Sequence, residues 1–331
     1  MRRMGGVLLW LVCIALLASP ASAQSTYPNR PIRVLIPYAP GGLTDVVARY
    51  YGDYLRKTFG QTVLVENKPG ASGIIAIEEM ARAKPDGYTI MVGNISTNCL
   101  TPVLLAKRMK IDYDRDVQII ARTADAPVFF MATTTNFPPK TFAEFIEYAK
   151  AHPDEVRYAS AGVGAYQHVN TEILAKRAGG LKLVHIPFKD GGAGILKDVA
   201  GGDTHVSWFN VSNPVGMIKA GRVRPLAVAA DERLPAWPDV PTLNELGFKG
   251  FRPSQWNAAF APAGVPPEII DKLHAAFTAA AQTPEMKAIF EKSGLVAPID
   301  KTAEDARAWL KNEMETWRRD IADAGIKVDT E

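Results

Sequence analysis

Ile32-Arg33-Val34-Leu35-Ile36-Pro37-Tyr38-Ala39-Pro40-Gly41-Gly42-Leu43-Thr44-Asp45 is the stretch whose reading decides the fold. Ile32 to Ile36 is a short apolar run that reads as a strand, and Thr44 to Phe59 carries apolar residues at helical spacing. A strand, a Pro/Gly-rich turn and a helix form the repeating unit of an α/β sheet, whose ligands bind beyond the carboxyl ends of the strands. Glycines let backbone approach a ligand, and a helix N-terminus offers free N–H groups with a partial positive charge. Tyr38, Ala39, Gly42, Leu43, Thr44 and Asp45 are therefore candidate contacts to an anion, above all a carboxylate. The plainer alternative is that Thr44 or Asp45 only caps the helix and Gly41-Gly42 only turns the chain.

The same alternation runs outward. Thr62 to Glu66 reads as a strand, Gly73 to Arg82 as a helix and Thr89 to Val92 as a strand. Val128 to Thr133, Phe142 to Ala151, Val169 to Arg177, Leu183 to Ile186, Ile195 to Val199, Val206 to Phe209 and Pro225 to Ala229 continue it. This predicts parallel sheets flanked by helices. Beyond Phe260-Ala261-Pro262-Ala263-Gly264, helices dominate at Glu268 to Gln282, Glu285 to Ser293 and Ala303 to Ala324. Pro267 and Gly294 punctuate them. Pro235 to Pro241 reads as a loop.

Three further turns carry polar atoms where strands end. Tyr158-Ala159-Ser160-Ala161-Gly162-Val163-Gly164-Ala165-Tyr166-Gln167-His168 opens a second helix, with Ser160, Ala161, Gly164, Ala165, Tyr166 and His168 as candidate contacts. Its glycine spacing fits neither phosphate-loop nor dinucleotide signatures, and Tyr158 stands where a nucleophile elbow needs glycine. Gly93-Asn94-Ile95-Ser96-Thr97-Asn98 offers Ser96, Thr97 and Asn98, or merely local turn bonding. Trp208-Phe209-Asn210 ends another strand; Phe209, Asn210 and the separate Trp256 could line a pocket, although core packing is the commoner role of aromatics.

Composition narrows the classes. The 331 residues carry 38 Lys+Arg against 35 Asp+Glu, and this near-neutrality argues against a phosphate-facing nucleic-acid binder. Arg2-Arg3, the apolar run Val7 to Ala18 and Ser19-Pro20-Ala21-Ser22-Ala23 have the order of an export signal cleaved before Gln24. The run is shorter than the ~20 residues of a membrane span. Removing residues 1–23 leaves 308 residues, a formal charge of +1 and Cys99 as the sole thiol. An exported, disulfide-free soluble protein is expected, with Cys99 a buried hydrophobe.

Chemical machinery is sparse. The five histidines, at 152, 168, 185, 205 and 274, form no H-E-x-x-H or H-x-x-x-H pair, so no metal and no cofactor are expected. Nothing marks an activated nucleophile, and the chain reads as a binder rather than an enzyme.

With these turns placed, the chain resembles the periplasmic solute receptors of tripartite tricarboxylate transporters, the Bug receptor family. Tyr27-Pro28-Asn29-Arg30-Pro31-Ile32 matches that family's opening, and Pro37-Tyr38-Ala39-Pro40-Gly41-Gly42 its first ligand loop. Val65-Glu66-Asn67-Lys68-Pro69-Gly70-Ala71, Lys84-Pro85-Asp86-Gly87-Tyr88-Thr89 and Tyr158-Ala159-Ser160-Ala161-Gly162 with His168 follow in order. Ile218-Lys219-Ala220-Gly221, Pro238-Asp239-Val240-Pro241-Thr242 and Phe260-Ala261-Pro262-Ala263-Gly264 complete it.

The resemblance implies an α/β fold of the two-lobed periplasmic binding-protein kind (type II, Venus flytrap), each lobe a sheet flanked by helices. Residues 24–125 plus 253–331 would form the first lobe and residues 126–252 the second. It further implies a monomer that captures a small carboxylate between the lobes and delivers it to a transporter's membrane subunits. Three positions depart from the family pattern. Leu43 replaces the usual Ser, Asn98 stands where His is frequent, and Phe209 occupies the Asp of an Asp-Asn pair. Losing that carboxylate removes a partner for an ammonium group, so an apolar mono- or dicarboxylate, leaning to an aromatic one such as terephthalate, is expected over an amino acid or a citrate-like ligand. An exported Ser hydrolase, and a receptor that presents its ligand to a sensor, remain alternative readings.

Overall fold

The computed structural model describes residues 27–188, 191–253, 255–298 and 300–327; the export segment lies outside the described residues. The strands are β1 (Ile32–Ile36), β2 (Val63–Asn67), β3 (Thr89–Asn94), β4 (Val117–Ala126), β5 (Val128–Thr133), β6 (Arg157–Ser160), β7 (Val184–Pro187), β8 (Val206–Asn210), β9 (Val223–Ala229) and β10 (Gln255–Pro262). The longer helices are α1 (Leu43–Phe59), α2 (Ile74–Ala81), α3 (Phe142–Ala151), α4 (Tyr166–Arg177), α5 (Gly191–Gly201), α6 (Pro267–Ala281), α7 (Pro284–Ser293) and α8 (Ala303–Ala324).

The strands form two five-stranded sheets, β2-β1-β3-β10-β4 and β7-β6-β8-β5-β9, which are the sheets of two lobes. β1 runs parallel to β2 and β3, and β6 parallel to β7 and β8. β10 is antiparallel to β3 and β4, and β5 antiparallel to β8 and β9. The sheets are thus mixed, where strand–helix alternation alone predicts parallel ones. The reason is the path of the chain. β4 leaves the first sheet at Ala126, β5 enters the second at Val128, and β10 returns the chain to lie beside β4.

Local sequence explains the helices. α1 buries Val47, Ala48, Tyr51 and Leu55 on one stripe, exposes Arg49 and Asp53, and stops at Gly60 in the left-handed conformation (φ 64°). α8 opens on a capping box in which Thr302 accepts from the Asp305 N–H while the Asp305 carboxylate accepts from the Thr302 N–H.

One continuous apolar core runs from Leu35, Met91 and Phe260 through Trp256 and Trp317 to Tyr166, Trp208 and Phe130, so it crosses from one sheet to the other. Separate clusters cover the opposite faces, around Val34, Tyr51 and Phe277 on the first sheet and Phe129, Phe209 and Val228 on the second. α8 spans both lobes: its Asp320 accepts both oxygens' worth of hydrogen bonds from Arg177 of α4, each at 2.9 Å.

A charged cluster sits where β4 leaves the first sheet. Arg122 makes a bidentate pair with Asp300 (2.7 and 2.8 Å), reaches Asp125 at 3.0 Å and lies 4.6 Å over the Trp309 ring. Burial pushes the Asp125 carboxyl up to about 6, against the opposing pull of Arg122. Close by, Glu313 Oε1 accepts the indole N–H groups of Trp256 (3.0 Å) and Trp317 (2.9 Å). Burial raises the Glu313 carboxyl too, although both indoles favour its charged form.

Candidate functional site

A cavity of about 210 Å³ opens at the carboxyl ends of β1, β3 and β8. Its walls are Tyr38, Gly42, Leu43 and Thr44, then Asn94 at the end of β3, Gln255, Trp256 and Asn257 of β10, and Asn210 at the end of β8. Among the described residues Asn210 alone brings the second sheet to this lining, so the cavity lies between the lobes. Asn94 and Asn257 are register partners, which sets two carboxamides side by side at the mouth of the first sheet.

The first-lobe wall is one hydrogen-bonded chain. Tyr38 Oη donates to Asn94 Oδ1 (2.6 Å), Asn94 Nδ2 donates to Thr44 Oγ1 (3.2 Å), and Thr44 Oγ1 donates to Asn257 Oδ1 (2.8 Å). Burial pushes the Tyr38 phenol up to about 12, so it stays a neutral donor. Asp45 is 4% exposed and accepts from the Gly41 N–H (2.9 Å), Asn67 Nδ2 (2.9 Å) and Arg49 Nε (3.1 Å). Burial alone would raise this carboxyl, but Arg49 and the other donors together hold it below the usual carboxylate range. Asp45 therefore pins the loop, in which Gly41 adopts φ +95°, and is not itself free for a ligand.

That arrangement leaves the start of α1 open. Gly42 is the N-cap residue, in extended conformation, and no side chain caps the helix. α3, α7 and α8 are capped by Thr141, Thr283 and Thr302. α2 and α6 also lack a cap, but at α1 the uncapped turn forms the cavity wall. First-turn N–H groups unmatched by a side chain, with the helix dipole behind them, have the chemistry that favours an anion.

The second loop is braced from within. Ser160 is fully buried; its Oγ lies 2.5 Å from His185 Nε2 and accepts the Gly162 N–H at 3.0 Å. His168 Nδ1 accepts the Gly164 N–H (3.2 Å), and the His168 and His185 rings stand 4.4 Å apart. Desolvation lowers both imidazoles, His185 to about 4, which keeps them as neutral acceptors at neutral pH. α4 begins here with Ala165 as N-cap and again no capping side chain. None of the residues of this loop lines the 210 Å³ cavity.

The candidate residues thus divide. Tyr38, Gly42, Leu43, Thr44, Asn210 and Trp256 border one cavity. Ala39 and Ala161 are exposed on their loops, and Gly164 and Ala165 are half-buried at the start of α4. Ser96 gives its N–H to Asn94 Oδ1 (3.0 Å), and Thr97 is buried with its hydroxyl on Asn98 Oδ1 (2.8 Å).

Four of the candidate side chains are taken up by packing. Asn98 is fully buried and donates to the Tyr113 hydroxyl (3.0 Å), fitted into space left because Gly93 has no Cβ. Tyr166 is 3% exposed and donates to the Pro253 carbonyl. Phe209 is 3% exposed within the second lobe's outer core, beside Phe129 and Val228. Trp256 touches the cavity, but its ring is 1% exposed and its N–H belongs to Glu313. Asn94, Gln255 and Asn257 are the cavity residues absent from the sequence-based set. Their polar side chains at the cleft ends of two neighbouring strands were the available signal.

Two larger grooves, of about 550 and 490 Å³, share Tyr113, Asp114 and Arg318 beside α8. They contain neither glycine-rich loop, and an Arg318–Asp114 ion pair at 2.5 Å stands in both. Among the described residues, no three His, Cys, Asp or Glu side chains converge as a metal site.

Residues 47–326 match the model of the tripartite tricarboxylate transporter family receptor. BugT of Bordetella pertussis is 30% identical over 328 residues, covering 99% of each chain. Among solved structures, the periplasmic binding protein BugD is 32% identical with a TM-score of 0.73, covering 91% of this chain and 99% of its own. Rpa4515 of R. palustris, solved with adipate, is 28% identical with a TM-score of 0.77 (91% and 99% covered). MatC from Rhodopseudomonas palustris, with bound malate, is 31% identical with a TM-score of 0.75 (89% and 100% covered).

Proposed function

The chain belongs to the tripartite tricarboxylate transporter receptor family, and on that premise we propose that it is an exported, monomeric receptor for an aliphatic C4–C6 di- or hydroxydicarboxylate. It delivers that ligand to the membrane subunits of its transporter. One observation carries the reading: the uncapped N-terminus of α1 opens onto a neutral, hydrogen-bonding cavity between two lobes. The fold and the periplasmic relatives support export, with residues 1–23 as the signal. Residues 24–125 plus 253–331 and residues 126–252 are the two lobes, hinged where β4 passes into β5 and before β10.

Ligand size and shape follow from the walls. A cavity of about 210 Å³ is smaller than the ~300–1,000 Å³ of drug-sized pockets. Trp208, Phe209 and Trp256, the rings that would favour an aromatic acid, belong to the core. Malate and adipate, bound by two relatives, are of the size proposed. Lobe closure brings the Ser160–His168 loop and the uncapped start of α4 onto the same ligand.

The hydrolase reading has one observation in its favour, the short Ser160–His185 contact. Ser160 is buried and its hydroxyl already accepts a loop N–H, so we assign the pair to bracing the loop. A thermal-shift and calorimetry panel of succinate, malate, adipate, citrate, terephthalate and amino acids tests the proposal. At a hundredfold excess over Kd a ligand adds about 2.7 kcal/mol, which raises the melting temperature by several degrees. Stabilisation by C4–C6 diacids without turnover is expected. Binding of amino acids alone, or ester hydrolysis abolished by Ser160→Ala, would sink it.

A further inference from the structure

α8 is fastened to both lobes. Its Glu313 accepts the indole N–H of Trp256 on β10, and its Arg318 pairs with Asp114 at 2.5 Å, so the helix moves with the first lobe. Two residues further on, Asp320 is 7% exposed, and both of its oxygens accept from Arg177 Nη2 at 2.9 Å. Arg177 is held on the side of the second lobe. Its Nη1 donates to the Lys249 carbonyl (3.3 Å), and its guanidinium lies 5.1 Å over the Phe251 ring. Arg319, 3.8 Å from the same carboxylate, belongs to α8 and travels with it. Arg177–Asp320 is therefore an ion pair between the lobes.

α4 makes that pair sensitive to closure. Its first residue, Tyr166, donates to the Pro253 carbonyl where the chain returns to the first lobe, and its last is Arg177. The 12 residues of the helix, at a rise of ~1.5 Å each, set Arg177 about 16 Å from that tether. The loop from Ser160 to Ala165 stands on the other side of the tether and lines no part of the 210 Å³ cavity. Bringing this loop onto a ligand turns α4 about Tyr166, and a turn of only ~10° carries the far end of the helix by about 3 Å. An N–H···O bond reaches ~3.2 Å, so Arg177 cannot keep both Asp320 oxygens once the loop has closed.

We propose that Arg177–Asp320 is a latch that holds the lobes open, so that closure on a ligand breaks it and affinity is set in part at a place remote from the cavity. A sheltered, charge-assisted pair is costly to open, and the free energy of opening it is subtracted from ligand binding. Removing the latch therefore strengthens binding, the reverse of what losing a ligand contact does. The effect on affinity rests on the carboxylate-receptor reading above; the effect on lobe arrangement does not.

Asp320→Asn and the double variant Arg177→Ala/Asp320→Ala, which leaves neither charge unpaired, test this beside wild type. Calorimetry with whichever of malate, succinate and adipate wild type binds is expected to show affinity raised by about 3- to 10-fold in both variants. Spin labels at Val46→Cys and Val163→Cys, exposed positions on α1 and on the second loop, read the distance between the lobes. Without ligand, wild type is expected to show one long distance and the latch variants an added, shorter population. Melting curves register any loss of folding stability separately, and a merely structural pair would lower melting and leave affinity unmoved. Affinities within about twofold of wild type in both variants, or below it, would overturn the latch. If wild type binds no carboxylate, the receptor reading falls and the interlobe distances alone decide. An unchanged ligand-free distribution in both variants then overturns the latch, and an added short population upholds it.

Discussion

Replacing Gly42 with Asp is expected to abolish carboxylate binding while leaving the ligand-free protein as stable or slightly more so. Gly42 stands at the N-cap of α1 with φ −76° and ψ 168°, the extended conformation that an N-cap aspartate adopts. A Cβ added there meets nothing within 4 Å, so the new side chain enters without a clash. Its carboxylate accepts from the first-turn N–H groups and occupies the seat proposed for the ligand. Capping and the helix dipole together add about 0.3–1 kcal/mol to the folded state. The incoming carboxylate then loses its donors and meets a like charge, and affinity is expected to fall by at least about 100-fold. Calorimetry against a ligand that wild type binds, beside a melting curve without ligand, reads both effects. Retained binding in Gly42→Asp would remove α1 from the site.

Arg122→Ala is expected to be the most damaging single change to stability. The guanidinium is 9% exposed as a side chain and lies between Asp300, at 7%, and Asp125, with Trp309 beneath it. Removing one partner of a buried ion pair leaves uncompensated charge and costs about 3–5 kcal/mol, far more than an exposed pair is worth. The loss has a definite pH signature. Asp125 titrates at about 6 in the folded protein, above the ~3.9 of an unfolded chain, so its protonated form favours folding. That contribution is complete below about pH 4 and is lost as pH rises through 6. Without Arg122 to offset the charge, the variant's deficit is expected to be greatest near pH 8 and to shrink towards pH 5. Melting temperatures of both proteins at the two pH values check this. Equal deficits at both would mean that the cluster is not electrostatically coupled.

The sequence alone revealed more of the cleft's backbone than of its side chains. The Pro37–Asp45 loop was legible because glycine, proline and a helix start are local signals, and local chemistry decided its conformation. β4 and β10 were not legible as partners. Gln118 and Ala261 are hydrogen-bonded neighbours in register, yet the whole second lobe intervenes between them in the chain. The burial of Phe209 and of Asn98 was not legible, for different reasons. Both faces of the second sheet are covered, so the usual alternation cannot say which neighbour of the Trp208-Phe209 pair looks outward. Asn98 is drawn inward by a space that exists only because residue 93 lacks a side chain, a fact carried by the fold. Asn210 was found from its place at a strand end, and its unpaired oxygen emerges only from the packed structure.

The meeting of Trp256 and Trp317 on a single Glu313 oxygen, with Trp309 5.1 Å from Trp256, has an optical consequence. Indole emission shifts with nearby charge, because the excited ring carries a larger dipole than the ground state. Trp256 borders the cleft while its N–H points at a carboxylate on α8, so ligand occupancy and lobe motion alter the field felt by this cluster. Intrinsic fluorescence is therefore expected to respond to a saturating diacid with no dye attached. Glu313→Leu, which removes the shared acceptor, is expected to shift the resting spectrum and blunt that response. The protein carries its own lamp at the point where its two halves meet.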